Sequence, residues 1–190
     1  MLGQIKPHFI FNALANIKAL IYTDPELAEN LTIAFTKYLR AYLNALGKEE
    51  MIPFREDLDF IDNYIKIEQS RFPGKIHVTY DLFYDQFQIP HFILQPLVEN
   101  AIKHGLCKKE GPGELRIISY LDGGDICIVI EDDGIGFSQA LKRTVDSGIG
   151  VENVRKRLAY LLDGSLLLNS EVGRGTRAVI RFKKNDKERR

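Results

Sequence analysis

The spacing of the apolar residues changes at one point in the chain, and this change constrains the fold more than any other feature. Before Phe72-Pro73-Gly74 the apolar residues recur every three or four positions, which is typical of amphipathic helices. After it they alternate or form short runs, which is typical of strands. The sequence therefore predicts a helical domain over residues 1–72 and a mixed helix-and-strand domain over residues 73–190.

Three helices are predicted in the first domain. Asp24 suits a helix N-cap and Pro25 suits the first helical position, so residues 5–46 are predicted to form two antiparallel helices joined by a short turn. A third helix is predicted over residues 56–71. A two-helix hairpin leaves apolar faces uncovered, so we expect a homodimer that pairs two hairpins into a four-helix bundle. The predicted apolar stripe of the first helix contains Ile10, Leu14, Ile17 and Ile21.

The second domain is predicted to be an α/β sandwich, which makes the whole chain α+β. The predicted strands are residues 76–82, 115–121, 125–131, 165–169 and 176–182. Helices predicted at 90–106 and 150–162 lie between them. Strands and helices in this order indicate a mixed sheet that is covered by helices on one face.

Composition and charge exclude several classes of function. The 26 Lys and Arg residues balance the 26 Asp and Glu residues, so no global field favours nucleic acid or anionic lipid. Cys107 and Cys127 form no C-x-x-C pair, which indicates reduced thiols in a cytosolic setting. No apolar run approaches the ~20 residues of a membrane helix, so we expect no membrane contact by these residues.

Four polar or glycine-rich motifs follow one another in the second domain. Alone, each is a weak signal, because glycine pairs often mark only turns; the specific signal is the set and its order. No G-x-x-x-x-G-K-[ST] sequence is present, which excludes a P-loop. The motifs are Leu97–His104 on a helix, Glu131–Phe137 after a strand, Ser147–Asn153 opening a helix and Gly173–Thr176 before a strand.

The helical motif offers groups suited to a metal-bound phosphate. Asn100, Lys103 and His104 lie on one side of a regular helix. An Asn amide oxygen is a suitable ligand for Mg²⁺, which also takes phosphate oxygens and water. Lys103 can offer a point charge to phosphate.

The glycine motifs offer a base acceptor and an anion site. Asp132 can accept a hydrogen bond from an exocyclic amine such as that of adenine. Gly134 and Gly136 lack side chains that would keep a ligand from the backbone. Gly148 and Gly150 place N–H groups at a helix N-terminus, which favours an anion.

The four motifs resemble the asparagine, glycine and glycine–threonine boxes of the GHKL (Bergerat) ATP-binding fold shared by histidine kinases, gyrase and MutL. The resemblance implies ATP and Mg²⁺ as cofactors, with Mg²⁺ held by Asn100, adenine bound by Asp132, Thr176 in the nucleotide site and residues 137–147 as a lid. Gyrase-like members carry a Glu four residues before the Asn as the base for hydrolysis. Pro96 occupies that position here, and this difference favours a kinase.

His8 lies in the segment Gln4-Ile-Lys-Pro-His-Phe-Ile-Phe-Asn12. On a helical wheel it projects away from the apolar stripe, with Asn12 one turn further on the same face. Without context this pattern favours an ordinary surface histidine. The segment closely resembles, however, the phosphoacceptor box of LytS-type sensor kinases. The resemblance continues through residues 55–72, 89–90, 95–105 and 148–158.

This second resemblance implies a sensor histidine kinase of a two-component system. Such a kinase transfers a phosphoryl group from ATP to His8 and then to an aspartate of a response regulator, here expected to be of the LytTR type. Many histidine kinases place an acid directly after the histidine; here Phe9 follows, so Glu99 and Asn12 are the candidate catalytic residues beside His8. We expect a cytoplasmic fragment whose parent is anchored in the bacterial inner membrane by segments upstream of Met1.

Two alternative functions remain open. The chain could be a GHKL ATPase that acts as a conformational clamp, as gyrase and MutL do. It could also be a non-catalytic dimer that binds nucleotide and signals through its shape. Sequence alone does not show turnover.

Overall fold

The computed structural model describes residues 7–48, 50–138 and 149–184. The α-helices are α1 (Pro7–Leu20), α2 (Pro25–Ala45), α3 (Phe54–Arg71), α4 (Gln95–Asn100) and α5 (Ile149–Leu162). Helix α4 continues into a π-helical turn (Ala101–Gly105) and a 3-10 turn (Leu106–Lys108). The strands are β1 (Met51–Pro53), β2 (Ile76–Leu82), β3 (Gln88–Pro90), β4 (Gly113–Asp122), β5 (Asp125–Asp132), β6 (Ser165–Glu171) and β7 (Gly175–Lys183).

Helix α2 begins where the sequence predicts. The Asp24 carboxylate accepts a hydrogen bond of 3.0 Å from the N–H of Leu27, and Pro25 fills the first turn, where no intrahelical N–H bond is lost. The helix buries one face, which includes Leu31, Phe35 and Tyr38. Helices α1 and α3 both pack against α2. Within the described ranges no helix is both long enough and apolar enough to cross a bilayer.

Helix α1 turns only part of the predicted stripe to the core, where Ile10 and Ile17 pack partly buried. Phe9 and Ala13 are buried, whereas Leu14 is 50% exposed and Ile21 is 48% exposed. The reason is the aromatic ring of Phe9, which packs among rings of α2 and α3 and so sets the rotation of the helix. Several apolar side chains of α1 and α2, among them Phe11, Leu14 and Leu43, are exposed in the single chain. The predicted four-helix dimer that would cover them stays a prediction.

The second part contains a five-stranded mixed sheet in the order β2-β4-β5-β7-β6. β2 runs parallel to β4, and the remaining neighbours are antiparallel. Alternate residues of the strands, such as Ile117, Ile130 and Ala178, join the helices in one continuous core. The predicted α+β fold is confirmed, and each of the five predicted strands lies within a strand of this sheet.

Two short strands were not predicted. β1 pairs antiparallel with β3, with Ile52 opposite Ile89. Three residues are too few for a strand pattern to be visible in sequence. Because residues 88–90 form β3 and Phe92 has a left-handed φ of 58°, α4 begins at Gln95 and not at the predicted residue 90.

A buried carboxylate on α3 holds the segment before α4. The Asp57 side chain is fully buried, and its oxygens accept hydrogen bonds from the N–H groups of Phe92 (2.9 Å) and Leu94 (3.3 Å). Burial raises the pKa of Asp57 to about 6, against the lowering effect of these two hydrogen bonds. Helix α3 thus contacts both α2 and the segment that leads into α4. The predicted domain boundary between residues 72 and 73 stays a prediction.

We expect Asp57→Ala to lower the free energy of unfolding by about 2–4 kcal/mol, because it leaves two buried N–H groups without an acceptor. Denaturant unfolding monitored by circular dichroism measures this change. The control is Asp59→Ala, which removes an exposed carboxylate from the same helix and should change stability by less than about 0.5 kcal/mol. Equal losses in the two variants would contradict the role given to Asp57.

Candidate functional site

The end of the π-helical turn touches the end of β5 through two glycines. A methyl group on Gly105 would lie 2.5 Å from Oδ1 of Asp132, and one on Gly134 would lie 2.4 Å from the Cα of Gly105. Both distances are far below a van der Waals contact. Only glycine at both positions therefore lets this helix end meet this strand end.

Two further glycines bring the turn between β6 and β7 to the same place. Gly175 has a φ of 92°, and a methyl group there would lie 1.8 Å from the backbone oxygen of Asp132. Gly136 has a φ of 59°, and a methyl group there would lie 2.0 Å from the oxygen of Glu171. The space beside Gly134 and Gly136 is thus filled by the chain itself, and their predicted role in admitting a ligand stays a prediction.

These contacts bury the carboxylate of Asp132, which is 4% exposed. Its Oδ1 accepts a hydrogen bond of 2.9 Å from the N–H of Gly134. Burial raises the pKa of Asp132 to about 7, while the N–H groups of Gly134 and Thr176 lower it. A buried carboxylate of this kind is a strong acceptor for an amine hydrogen of a ligand.

Ser170 joins three segments at this place, a role that was not predicted from the sequence. Its hydroxyl donates to the oxygen of Gly175 at 2.8 Å and accepts from the N–H of Phe137 at 2.9 Å. The Thr176 hydroxyl lies 3.0 Å from the hydroxyl oxygen of Ser170. Because Ser170 has one hydrogen to donate, Thr176 is the donor in this pair. Nothing in the sequence marks this serine among the others.

Asn100 ends α4 and is half-buried, and among the described residues none hydrogen-bonds to its amide. Its oxygen can therefore serve as a cation ligand without breaking an existing bond. The predicted alignment of Asn100, Lys103 and His104 on one side of a regular helix stays a prediction, because Ala101–Gly105 form a π turn. His104 is exposed.

Lys103 faces the helices of the first part of the chain. Its Nζ lies 3.4 Å from Oε2 of Glu99. It also lies 5.6 Å from the ring centre of Tyr64 and 6.0 Å from that of Phe9. The lysine predicted to contact phosphate is therefore engaged with a carboxylate and two aromatic rings.

Glu99 is held from its other side by Gln95. The Gln95 amide nitrogen donates to Oε1 of Glu99 at 2.9 Å and to the hydroxyl of Tyr38 at 2.9 Å. Burial raises the pKa of Tyr38, so this hydroxyl stays protonated. Gln95 thereby links α2 to the helix that bears Asn100, a connection that sequence spacing does not reveal.

His8 lies in the first turn of α1 and is exposed, and Asn12 lies one turn further and is half-buried. Phe9, directly after His8, is buried beside Lys103. The structure thus brings the His8 turn to the Glu99–Lys103 pair. Asp132, Gly134 and Thr176 lie together at the end of β5.

The glycine motif before α5 is described in part. Gly148 and residues 139–147 of the predicted lid lie outside the described residues. Gly150 lies in the first turn of α5, and a methyl group on it would lie 3.3 Å from Cβ of Pro96. Pro96, which stands where gyrase-like proteins have a glutamate, therefore packs against the start of α5.

A cavity of about 540 Å³ opens beside Asp132 on the outer face of the sheet. Its lining includes Arg116, Glu131 and Arg177, and the last two form an ion pair of 3.7 Å. Asn100 and Lys103 are not in the lining. This groove is therefore separate from the predicted metal-binding side of the site.

Two families match successive parts of the chain. Residues 1–76 match the histidine kinase family, and residues 85–186 match the family of histidine kinase-, DNA gyrase B- and HSP90-like ATPases. The second match covers more than half of the chain.

Individual proteins give the same result. The chain is 32% identical to the sensor protein LytS of Bacillus subtilis over 92% of its length, and 36% identical to the sensor histidine kinase YpdA of Escherichia coli over 84%. It spans only 31% and 29% of these two proteins. The histidine kinase domain of the blue-light activated kinase of Erythrobacter litoralis EL346 shares the fold, with a TM-score of 0.58 at 15% identity over 97% of both chains.

We expect the stability difference between Asp132→Asn and the wild type to depend on pH. The folded-state pKa of Asp132 is raised from 3.8 to about 7, so the wild type loses stability as pH rises through this range. Asn carries no charge, so the free energy of unfolding of Asp132→Asn relative to that of wild type should rise by up to roughly 4 kcal/mol between about pH 4 and pH 8. Denaturant unfolding of nucleotide-free protein at several pH values measures it.

The control is Asp133→Asn at the neighbouring position. Burial raises the pKa of Asp133, but hydrogen bonds from Lys109 and from the N–H of Glu114 outweigh it and lower the pKa below 3.8. The stability difference between Asp133→Asn and wild type should therefore stay constant between about pH 5 and pH 8. A flat profile for Asp132→Asn as well would contradict the burial of its charge.

Proposed function

Because the chain belongs to the histidine kinases, the sensor kinases of two-component systems that carry a GHKL-type ATPase domain, we propose that it phosphorylates its own His8 from ATP. The single observation that carries this proposal is the placement of the exposed His8 turn beside the helix that bears Asn100, through the contact of Phe9 with Lys103. The chain spans only about a third of the length of these relatives, so the activity stays a proposal for this chain.

Asp132 is proposed to select adenine. Its carboxylate is buried at the end of β5, where it can accept a hydrogen from the exocyclic amine of the base. An acceptor with one predominant orientation, fixed by the N–H of Gly134, discriminates between an amine and a carbonyl on the base. Gly134 and Thr176 contact this carboxylate, and both are proposed, with Gly136, to line the adenine site. The N–H groups of Gly148 and Gly150 are proposed to bind phosphate at the start of α5.

Asn100 is proposed to hold Mg²⁺ through its amide oxygen. The residues present fit this ion, because the amide is half-buried and makes no bond to the described side chains. One protein oxygen with phosphate and water ligands is a common arrangement for Mg²⁺, which when bound neutralises charge on the phosphates. His104 is exposed nearby and is proposed to contact the nucleotide.

His8 is proposed to act as the nucleophile. A neutral imidazole has one nitrogen with a lone pair, which forms the N–P bond while the P–O bond to the leaving ADP breaks and ADP keeps the electron pair. The proton on the other ring nitrogen can then pass to water. Asn12 and Glu99 remain the proposed supporting residues; both oxygens of Glu99 are already engaged, by Gln95 and Lys103, which favours a holding role.

The oligomeric state, the partner protein and the membrane anchor are also proposals. The exposed apolar surface on α1 and α2, which includes Phe11, Leu14, Ile33 and Leu43, supports a homodimer. We propose that phosphate passes from His8 to an aspartate of a response regulator of the LytTR type. A membrane anchor in the parent protein is likewise proposed, from the resemblance to LytS-type kinases.

We expect the protein to incorporate label from γ-labelled ATP in the presence of Mg²⁺ as phosphohistidine, which is labile to acid and stable to alkali. His8→Gln should abolish this label, because the nucleophilic nitrogen is removed. The control is His77→Gln, since His77 is also an exposed histidine but lies on β2. It should retain full labelling.

The same experiment separates the alternative functions. Release of free phosphate without labelled protein would indicate a clamp-type ATPase. Nucleotide binding with neither label nor free phosphate would indicate a scaffold. Labelling that persists in His8→Gln would move the acceptor to another residue.

We also expect Asp132→Asn to weaken ADP binding at pH 8 by about tenfold or more, because a charged hydrogen bond of about 1.5–3 kcal/mol is lost. Titration calorimetry measures it, with inosine diphosphate as the ligand that lacks the amine. Wild type should prefer ADP, and the variant should prefer it less. Asp133→Asn is the control and should bind ADP as wild type does; no preference for ADP in wild type would contradict the role of Asp132.

A further inference from the structure

The residue after His8 is an aromatic anchor. The Phe9 side chain is 3% exposed. Its ring centre lies 5.1 Å from that of Tyr38 on α2, 5.4 Å from that of Tyr64 on α3 and 6.4 Å from that of Phe35 on α2. Such separations are typical of favourable aromatic pairs. Phe9 is therefore fixed by two other helices, although it lies near the start of its own.

The ammonium group of Lys103 closes this aromatic cluster. It lies within 6.0 Å of the Phe9 ring centre and 5.6 Å of the Tyr64 ring centre, which is the range of a cation–π contact. Only a fifth of the lysine side chain is exposed. Partial desolvation strengthens a contact of this kind.

Glu99 keeps the ammonium in place. Its Oε2 pairs with Lys103 at 3.4 Å, and its Oε1 accepts from Gln95, which also donates to the hydroxyl of Tyr38. The same network thus holds the cation and Tyr38, whose ring packs against that of Phe9. Lys103 lies one helical turn beyond Asn100 in the chain, so the network spans from the proposed metal ligand to the helix of His8.

We propose that Phe9 and Lys103 form a docking contact that positions His8 for phosphoryl transfer. The proposal rests on the proposed function, since it concerns the same transfer. Both are positioning residues. His8 itself makes no packing contact of this kind, because its side chain is exposed, so its location depends on its neighbour in the chain.

His8 needs such an anchor because phosphoryl transfer is slow when the nucleophile is imprecisely placed. A nucleophile in the first turn of a helix frays with that turn unless a side chain anchors it. A misplacement of about 1 Å can reduce a rate by about a hundredfold, because the reacting atoms must be aligned. The bulky ring of Phe9 provides an anchor one residue away, where many other histidine kinases have an acid.

The test is a double-mutant cycle with Phe9→Leu and Lys103→Met. Leu keeps apolar bulk without the ring, and Met keeps the length of lysine without its charge. We expect each variant to lower the rate of phosphohistidine formation at saturating ATP by about tenfold or more, with unchanged ADP affinity. The double variant should be no slower than the slower single variant, because both remove one contact. Lys103→Arg keeps a cation over the rings and should restore most of the rate.

Phe54→Leu is the matched control, because Phe54 is fully buried but stacks on Phe87, away from Lys103. Its rate should remain within about twofold of wild type, since remote sites do not couple. Rate losses that add in the double variant, or an equal loss in Phe54→Leu, would overturn the proposal.

Hydrogen exchange separates this proposal from the proposed function. In nucleotide-free protein, Lys103→Met and Phe9→Leu should both speed amide exchange in the first half of α1 relative to wild type. If wild type forms phosphohistidine, and Lys103→Met shows both wild-type amide exchange in α1 and a wild-type rate, the docking contact alone would be overturned. A wild type that forms no phosphohistidine would overturn the proposed function, and with it the positioning role, whatever the exchange shows.

Discussion

The contact between Gly105 and Gly134 decides where the candidate site lies. The end of the π turn and the end of β5 approach so closely that a methyl group on Gly134 would collide with the backbone of Gly105, and one on Gly105 would collide with the carboxylate of Asp132. Asp132 is buried as a consequence, since its carboxylate lies directly against Gly105. Gly175 brings the turn before β7 to the same point. The acceptor proposed for adenine thus owes its environment to positions that have no side chain.

A second constraint joins the two parts of the chain. The aromatic rings of α1, α2 and α3 form a continuous core with the apolar face of α4 and the sheet. Asp57 holds the segment before α4, and Gln95 holds its first turn to Tyr38. The helix that bears Asn100 is therefore fixed at its start by α3 and α2. Residues proposed to bind nucleotide and the turn that bears His8 share this support.

Much of the fold could be predicted because its signals are local. Strand β2 occupies the predicted residues, and α2 begins at the predicted cap, Asp24. The order of the glycine motifs indicated the GHKL fold, which the family matches confirm. β1 and β3 were missed, since three residues carry no measurable periodicity. The roles of Asn100, Asp132 and His8 in catalysis and binding stay predictions.

The sequence by itself determined most of the helices and the five strands of the main sheet, the family and the residue types at the site, because periodicity, caps and motif spacing depend on neighbours in the chain. Only the tertiary structure decided which face of α1 is buried, what occupies the space beside Gly134, and that Lys103 lies over Phe9. Each of these depends on contacts between residues far apart in sequence. A helical wheel gives the angle between side chains, whereas the direction that becomes the interior is set by the rings and backbone that other segments bring to it.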